Sequence, residues 1–386
     1  MKHLKVFLLA LFAAIVVNVN AADESRIFKS KPYLQSLYNN GITVSWITNV
    51  PCYSWVEYGI DKNDLQAKHA VEDGIVIANN KENAIRLENL TPGATYYYRV
   101  CSKENKNYQA YSKTFGETAV SDIYSFKVPE LNVKDFTIIV FNDIHRNNAV
   151  LEKLYNQVKD IDYDFSVFNG DDLNDCENDE GIVNEVSAIT NIVKGYSKPI
   201  LYVRGNHELR GSSALNIKNY VDRIGNKYYS GFSWGDTRFV ILDLGEDKPD
   251  DSPVFGGLID LKQYIADQSE FLKKEVKSKE FKKAQRRILI HHVPFYHNED
   301  TYNPCAFYLD ILKNAQIDID LSGHTHTYKY WSKGKDQLFP AYIGGGPNEN
   351  PESKNFGTVA ILKKENKRLT LRVLKVDGSE LLNVEL

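Results

Sequence analysis

Between residues 136 and 324 the chain repeats one pattern that sharply limits its possible folds: a short apolar run that stops at a polar cluster. Residues 136–141 run into Asn142 and Asp143, 165–168 into Asn169, Gly170 and Asp171, and 200–203 into Arg204, Gly205, Asn206 and His207. Further on, 239–242 run into Asp243, 288–290 into His291 and His292, and 317–321 into Ser322, Gly323 and His324. Continuous apolar runs this short fit strands buried on both faces. Helical stretches lie between them, 149–158 and 261–276 among them, so the pattern specifies an α/β domain whose sheets are covered by helices. Ligand sites in open α/β sheets form outside the carboxyl ends of the strands. The polar clusters are therefore expected to meet in one place.

Residues 29–128 follow a different rule. Ile42, Val44 and Trp46 alternate with Thr43, Ser45 and Ile47, and Tyr96, Tyr98 and Val100 alternate with Thr95, Tyr97 and Arg99. Turn signals at Asn39-Asn40-Gly41, Asn49-Val50-Pro51 and Thr91-Pro92-Gly93 separate such runs. This is the grammar of an all-β sandwich of about 100 residues, and the 24 tyrosines suit half-buried strands. The change of grammar puts the domain boundary near Pro129, with a second domain over residues 134–386. After Gly344-Gly345-Gly346-Pro347, two β-like runs, 358–362 and 369–376, close the chain.

The first 21 residues read as a secretory signal: Lys2 and Lys5, an apolar run over 6–17, then Val19-Asn20-Ala21 as a small-residue cleavage site. The run is short of the roughly 20 residues a membrane span needs, and no later stretch reaches that length; an uncleaved anchor is the alternative. An exported protein, periplasmic or extracellular, is expected, with no stable membrane span in the mature chain. The net charge of −4 becomes −6 once Lys2 and Lys5 are removed, which argues against nucleic acid as a structural partner. Export permits disulfides. Cys52, Cys101, Cys176 and Cys305 form no CxxC pair and allow three connectivities; Cys52–Cys101 with Cys176–Cys305 keeps each bond within one domain, and buried free thiols are the equal alternative.

The strand ends deliver Asp143, His145, Asp171, Asn206, His207, His292, His324 and His326 to one region, including five of the nine histidines. Asp and Asn offer hard oxygen ligands and His a borderline nitrogen, a mixture that suits Zn, Mn or Fe better than an all-oxygen Ca or Mg cage. Two such ions about 3.5–4 Å apart need an anionic bridge, and the Asp171 carboxylate is placed to supply it. Asn206 would add a neutral oxygen, leaving the site positive enough to attract phosphate.

The series Asp143-Ile144-His145, Gly170-Asp171, Gly205-Asn206-His207-Glu208, His292-Val293-Pro294 and Gly323-His324-Thr325-His326 resembles the calcineurin-like metallophosphoesterase family over residues 136–347. The upstream segment is similar to the fibronectin-III-like module that precedes purple acid phosphatase catalytic domains. Lys31-Pro32-Tyr33-Leu34-Gln35, Gly41-Ile42-Thr43-Val44-Ser45-Trp46, Val56-Glu57-Tyr58-Gly59 and the stretch from Leu90 through Thr91-Pro92-Gly93 to Tyr98 carry that likeness. The resemblance implies an α/β domain of two packed sheets flanked by helices, and two divalent or trivalent transition-metal ions. It implies Asp143, His145, Asp171 and His326 on one ion, and Asp171, Asn206, His292 and His324 on the other. His207 would stand outside both, contacting phosphate or protonating the leaving oxygen. A hydroxide on the ions would attack phosphorus in line. One position departs: three residues after the bridging Asp, where purple acid phosphatases carry the tyrosine responsible for their colour, stands Asn174. The resemblance therefore implies a protein that is not purple, with Asn174 as a weak ligand, a substrate contact or a support for a ligand.

Some neighbours have two readings each. Arg146 binds phosphate or lies on the surface; His297, with Tyr296, lines the substrate pocket or a solvated loop; His291 is structural, facing away from His292. Asp172 and Asp175 add negative charge near the bridge, with Asp175 read as a helix cap or an outer acceptor. The Lys-rich stretch 273–283 is a solvated helix face. The leading expectation is a secreted phosphomonoesterase acting on small phosphoesters. A phosphodiesterase on nucleotides or head groups is the alternative within the class, since the loops 176–185, 247–257 and 296–304 set the choice. A surface- or glycan-binding protein with a degenerate enzyme domain is the alternative outside it. The sequence leaves the oligomeric state open.

Overall fold

The computed structural model describes residues 24–295, 307–335 and 337–386. The expected leader over residues 1–21, His297 and Cys305 lie outside the described residues. Two sheets stack face to face in the region of the repeating pattern. One carries Phe136–Phe141, Phe165–Asn169 and Ile200–Val203 as parallel neighbours, with Thr358–Glu365, Arg368–Lys375 and Glu380–Glu385 added antiparallel. The other runs Ser230–Trp234, Thr237–Ile241, Arg286–Ile290, Ile319–Ser322, Ala341–Ile343, Lys329–Trp331, with its four middle strands parallel.

The alternation of side chains explains why these strands read as unbroken apolar runs. In Phe136–Phe141, Ile138 and Val140 join the core between the sheets, while Ile139 and Phe141 pack under the helices Asn148–Val158 and Asp179–Ile192. The first of these helices starts on the Asn147 cap and buries Val150, Leu151, Leu154, Tyr155 and Val158, one apolar stripe at helical spacing. Lys262–Glu275 covers the second sheet through Ile265 and Leu272. The Lys-rich stretch is not one continuous helix: it breaks after Glu275, and Ser278 caps a separate turn, Lys279–Lys283.

The N-terminal region is all-β, as its pattern requires. Its interior holds Val44, Trp46, Val56, Tyr98 and Val100, and Trp46 Nε1 donates to Ser102 Oγ at 2.9 Å. Two features depart from expectation, and the cysteines take one of the two readings expected of them. The N-terminal strands are not a separate stack: Tyr33–Tyr38 pairs parallel with Ile200–Val203, so that, among the described residues, one hydrogen-bonded sheet of thirteen strands runs through both regions. The junction is fastened by the Leu34 N–H to Gly195 O at 2.8 Å and the Tyr33 hydroxyl to Tyr220 O at 2.8 Å. A third closing strand, Glu380–Glu385, follows the two expected ones, and its mixed burial explains why its pattern is weak. Cys52 and Cys101 are both buried thiols rather than a disulfide. Cys101 lies opposite Trp55, three residues from Cys52, so the two side chains leave opposite faces of the paired strands. Cys176 is likewise a buried thiol.

Candidate metal centre

The carboxyl ends of the two sheets meet, and the polar clusters meet with them. Asp143 follows Phe136–Phe141, Asp171 follows Phe165–Asn169 and Asn206 follows Ile200–Val203, all from the first sheet. His292 follows Arg286–Ile290 and His324 follows Ile319–Ser322, from the second. The turns are tight. Asp143, His145, Asp171, His324 and His326 all have positive φ, between 48° and 72°, a conformation costing on the order of 1 kcal/mol or more for each non-glycine residue. The glycines of the motifs answer a second constraint. A Cβ on Gly170 would lie 2.5 Å from the His292 ring, and one on Gly323 would lie 2.4 Å from Asp143 Oδ2.

Two donor groups result, and they share Asp171. In one, ligand atoms of Asp143, His145, Asp171 and His326 lie within 4.8 Å of one another; in the other, those of Asp171, His292 and His324 do. His145 Nε2 faces His326 Nε2 at 2.9 Å, and His326 Nε2 is 3.3 Å from Asp143 Oδ1. Asp171 Oδ2 lies 3.7 Å from His145 Nε2 and 3.0 Å from His292 Nε2. Nitrogen and oxygen ligands about 2.0–2.2 Å from a tetrahedral ion stand roughly 3.3–3.6 Å apart, and the observed separations of 2.9 to 3.7 Å bracket that range. In the second group Asn206 Oδ1 is 2.8 Å from His324 Nδ1 and 3.2 Å from Asp171 Oδ2. Three electron-pair donors thus face one another. Turning the amide over would give hydrogen bonds to both and pair its oxygen with Arg210; a cation between the three satisfies the orientation seen. His292 Nε2, fully buried, faces Asp171 Oδ2 at 3.0 Å and Asp143 Oδ1 at 3.8 Å without the alignment of a hydrogen bond to either. The donor set fits a pair of transition-metal ions.

The electrostatics of the bare cluster point the same way. Burial pushes the His292 imidazole down, but the Asp171 and Asp143 carboxylates override it and raise it to about 10. Burial opposes ionisation of Asp143 and Asp171 as well, yet the surrounding histidines hold both carboxyls below the ordinary range. Two buried carboxylates that stay ionised create a negative hole that demands positive charge.

Around the donors lies a bracing layer, part of which the sequence did not reveal. Glu208, fully buried, accepts four backbone N–H groups: Asp171 and Gly205 on Oε2, Asp172 and Leu173 on Oε1, at 2.8–3.1 Å. It ties the turn carrying Asp171 to the turn carrying Asn206, and burial, with the Asp171 charge, pushes its carboxyl up to about 7. His292 Nδ1 is held by Asn169 O at 2.7 Å, and His145 Nδ1 by Asn174 Oδ1 at 3.2 Å. Asn174 thus contacts a candidate ligand. His207 stands outside both groups, its Nε2 3.9 Å from Asp171 Oδ2. Its Nδ1 pairs with Asp175 at 2.9 Å and its Nε2 with Arg210 Nη1 at 3.2 Å. Since the guanidinium can only donate, the ring carries its proton on Nδ1; burial lowers the ring's pKa.

Among the neighbours, Asp175 and His291 take a reading expected of them, and Asp172 and Arg146 do not. Asp175 is the partner of His207 and not a helix cap, a role taken by Asn178. Asp172 turns away from the bridge toward a small apolar cavity it shares with Tyr33, Leu173 and Tyr202. Burial raises its carboxyl well above the carboxylate range, so it adds no charge near Asp171. The Arg146 guanidinium is engaged by Leu173 O at 2.7 Å and Asp175 O at 2.8 Å. The basic group beside the cluster is instead Arg210, three residues after His207, anchored by Glu246 at 2.6 and 2.8 Å. His291 is structural, its Nε2 2.6 Å from the buried Asp320 carboxylate.

Known proteins place this arrangement in a class. The calcineurin-like phosphoesterase family model matches residues 136–328, half of the chain, and the chain belongs to that family. The model of the purple acid phosphatase N-terminal domain matches residues 31–128. Purple acid phosphatase 21 of Arabidopsis thaliana is 23% identical over 325 residues, 78% of this chain and 66% of that protein. The chain therefore spans just under two thirds of that relative. Among solved structures, purple acid phosphatase PPD1 from yellow lupin (Lupinus luteus) superposes with a TM-score of 0.69 at 16% identity, covering 93% of this chain and 74% of that one. PhoD gives 0.63 at 12% identity, covering 94% and 92%. At such identities these structures share the fold.

Proposed function

We propose that the protein is an exported, two-metal phosphomonoesterase that hydrolyses small phosphoesters. The observation that carries this reading is the pair of donor groups meeting at one carboxylate, Asp171, which suits two ions held side by side. Asp143, His145, Asp171 and His326 would hold one ion, and Asp171, Asn206, His292 and His324 the other. The ions, when bound, lower the pKa of the attacking water and offset the charge on the phosphoryl oxygens. The chain's own groups do the rest. Asp171 and Asp143 fix the charge of the centre, and Asn206 completes the second group without adding to it. Arg210 and His207 line the approach; a dianionic phosphate there favours the protonated ring, which either grips a phosphoryl oxygen or protonates the departing one. Water adds to phosphorus, the bond to the alcohol oxygen breaks, and that oxygen takes a proton.

Residues 29–128 form the β-module of this reading, residues 134–386 the catalytic unit and residues 1–21 the export leader. Among the described residues no helix is long and apolar enough to cross a membrane. Asn174, and not a tyrosine, stands beside the first group, so the loaded protein should lack a phenolate-to-iron band in the visible. The test is rate measurement on an aryl phosphate and a bis-aryl phosphate with one metal-loaded preparation. Faster turnover of the monoester is expected; a faster diester would move the protein to the phosphodiesterases, and no turnover of either would favour a binding role.

A further inference from the structure

An open cleft of about 800 Å³ adjoins the centre on the His207 side. Its inner wall includes Asp175 and Arg210, which hydrogen-bond the two ring nitrogens of His207. Lys248 also lines it, bonded to Asp247 at 2.6 Å; Asp247 in turn lies 3.5 Å from His324 Nε2. A molecule in the cleft would therefore reach the place where a leaving oxygen meets His207.

The outer wall is apolar, and the chain presents it deliberately. Leu258 is 90% exposed, Leu215 80% and Val254 69%. The turn Pro253–Phe255 is pinned by the buried Phe255 and ends at Gly256 in the left-handed conformation, which throws its neighbours Val254 and Leu258 outward. Single exposed apolar side chains are ordinary; three around one cleft beside a reaction centre mark a recognition surface. The basic groups in the cleft are already paired: Arg204 with Asp243, Arg210 with Glu246 and Lys248 with Asp247. What the outer wall still offers a ligand is apolar contact, and the volume suits a small molecule.

We propose that this cleft receives the leaving alcohol of the substrate, and that the alcohol is apolar, either an aryl or an alkyl group. The inference rests on the phosphoesterase reading and adds the substrate class. It is tested with the metal-loaded full chain on 2-naphthyl phosphate, decyl phosphate and glycerol 2-phosphate, using wild type, Leu258→Ser and Leu215→Ser. Both side chains are solvent-exposed, so neither substitution removes core packing. Wild type should favour one or both apolar esters, and which one it favours distinguishes aryl from alkyl. Each variant should lower kcat/KM on the favoured ester roughly five- to tenfold and lower it markedly less on glycerol 2-phosphate. No preference in the wild type, or equal losses on all three esters, would overturn the proposal. If no ester is turned over, the hydrolase reading fails by itself, and fluorescence titration with 2-naphthyl phosphonate still decides the cleft. Weaker binding by Leu258→Ser retains it, and equal binding removes it.

Discussion

The two donor groups that share Asp171 are built to different standards. In the second, His292 is 1% exposed and braced by Asn169 O, Asn206 is 2% exposed, and Asp247 stands behind His324. In the first, His326 is 34% exposed and His145 12%, and the His145 ring leans on one asparagine amide at 3.2 Å. A ligand whose second ring nitrogen is held, and whose setting excludes water, binds with less reorganisation. The contrast teaches that a bridged pair of sites need not be a pair of equals: the second should keep its ion when the first gives it up.

The severest way to break the comparison is to remove what the groups share. Asp171→Ala should lose both ions and lower turnover by roughly a thousandfold or more, read by elemental analysis and rates. Next come the unshared ligands. His292→Ala should cost the second ion and about 2 kcal/mol of stability, since it empties a buried position and orphans Asn169 O. His326→Ala should cost the first ion and leave the melting temperature of the metal-free protein nearly unchanged. Equal melting shifts would erase the distinction. Glu208→Gln keeps the shape but sets an amide donor against backbone N–H groups that now meet a carboxylate; it should destabilise the fold by about 1–3 kcal/mol and loosen both sites together. The smallest effect belongs to Asn174→Ala. It should weaken the first ion by about tenfold and spare the second, as measured by competition with a chelating dye.

Legibility followed the kind of force that fixes each feature. The strands and the clusters at their ends could be read because burial on both faces leaves an unbroken apolar run, and because ligand chemistry limits which residues end it. The bracing layer was harder. Glu208 stood inside a recognised motif, but its task is to accept N–H groups from a turn distant in sequence, and no pattern encodes that. Arg146 and Arg210 each lie close to a site histidine along the chain. The turns, with Arg146 itself at φ 61°, swing one onto backbone carbonyls and leave the other beside His207. Asp172 departs from its sequence setting for the same reason: its neighbour Asp171 faces the donor groups, and it faces the core. The pairing of Tyr33–Tyr38 with Ile200–Val203 depends on two strands far apart in sequence, each of which reads as an ordinary apolar segment.

The central claim is that one carboxylate joins two unequal metal sites into one reaction centre. Its most direct test is to strip the protein of metal, restore a transition-metal ion one equivalent at a time, and follow phosphomonoester turnover alongside bound metal. The first equivalent should fill the braced site with little activity, turnover should rise with the second, and both metal and activity should then level off at two ions per chain. Full turnover at one equivalent, or in the stripped protein, would contradict it.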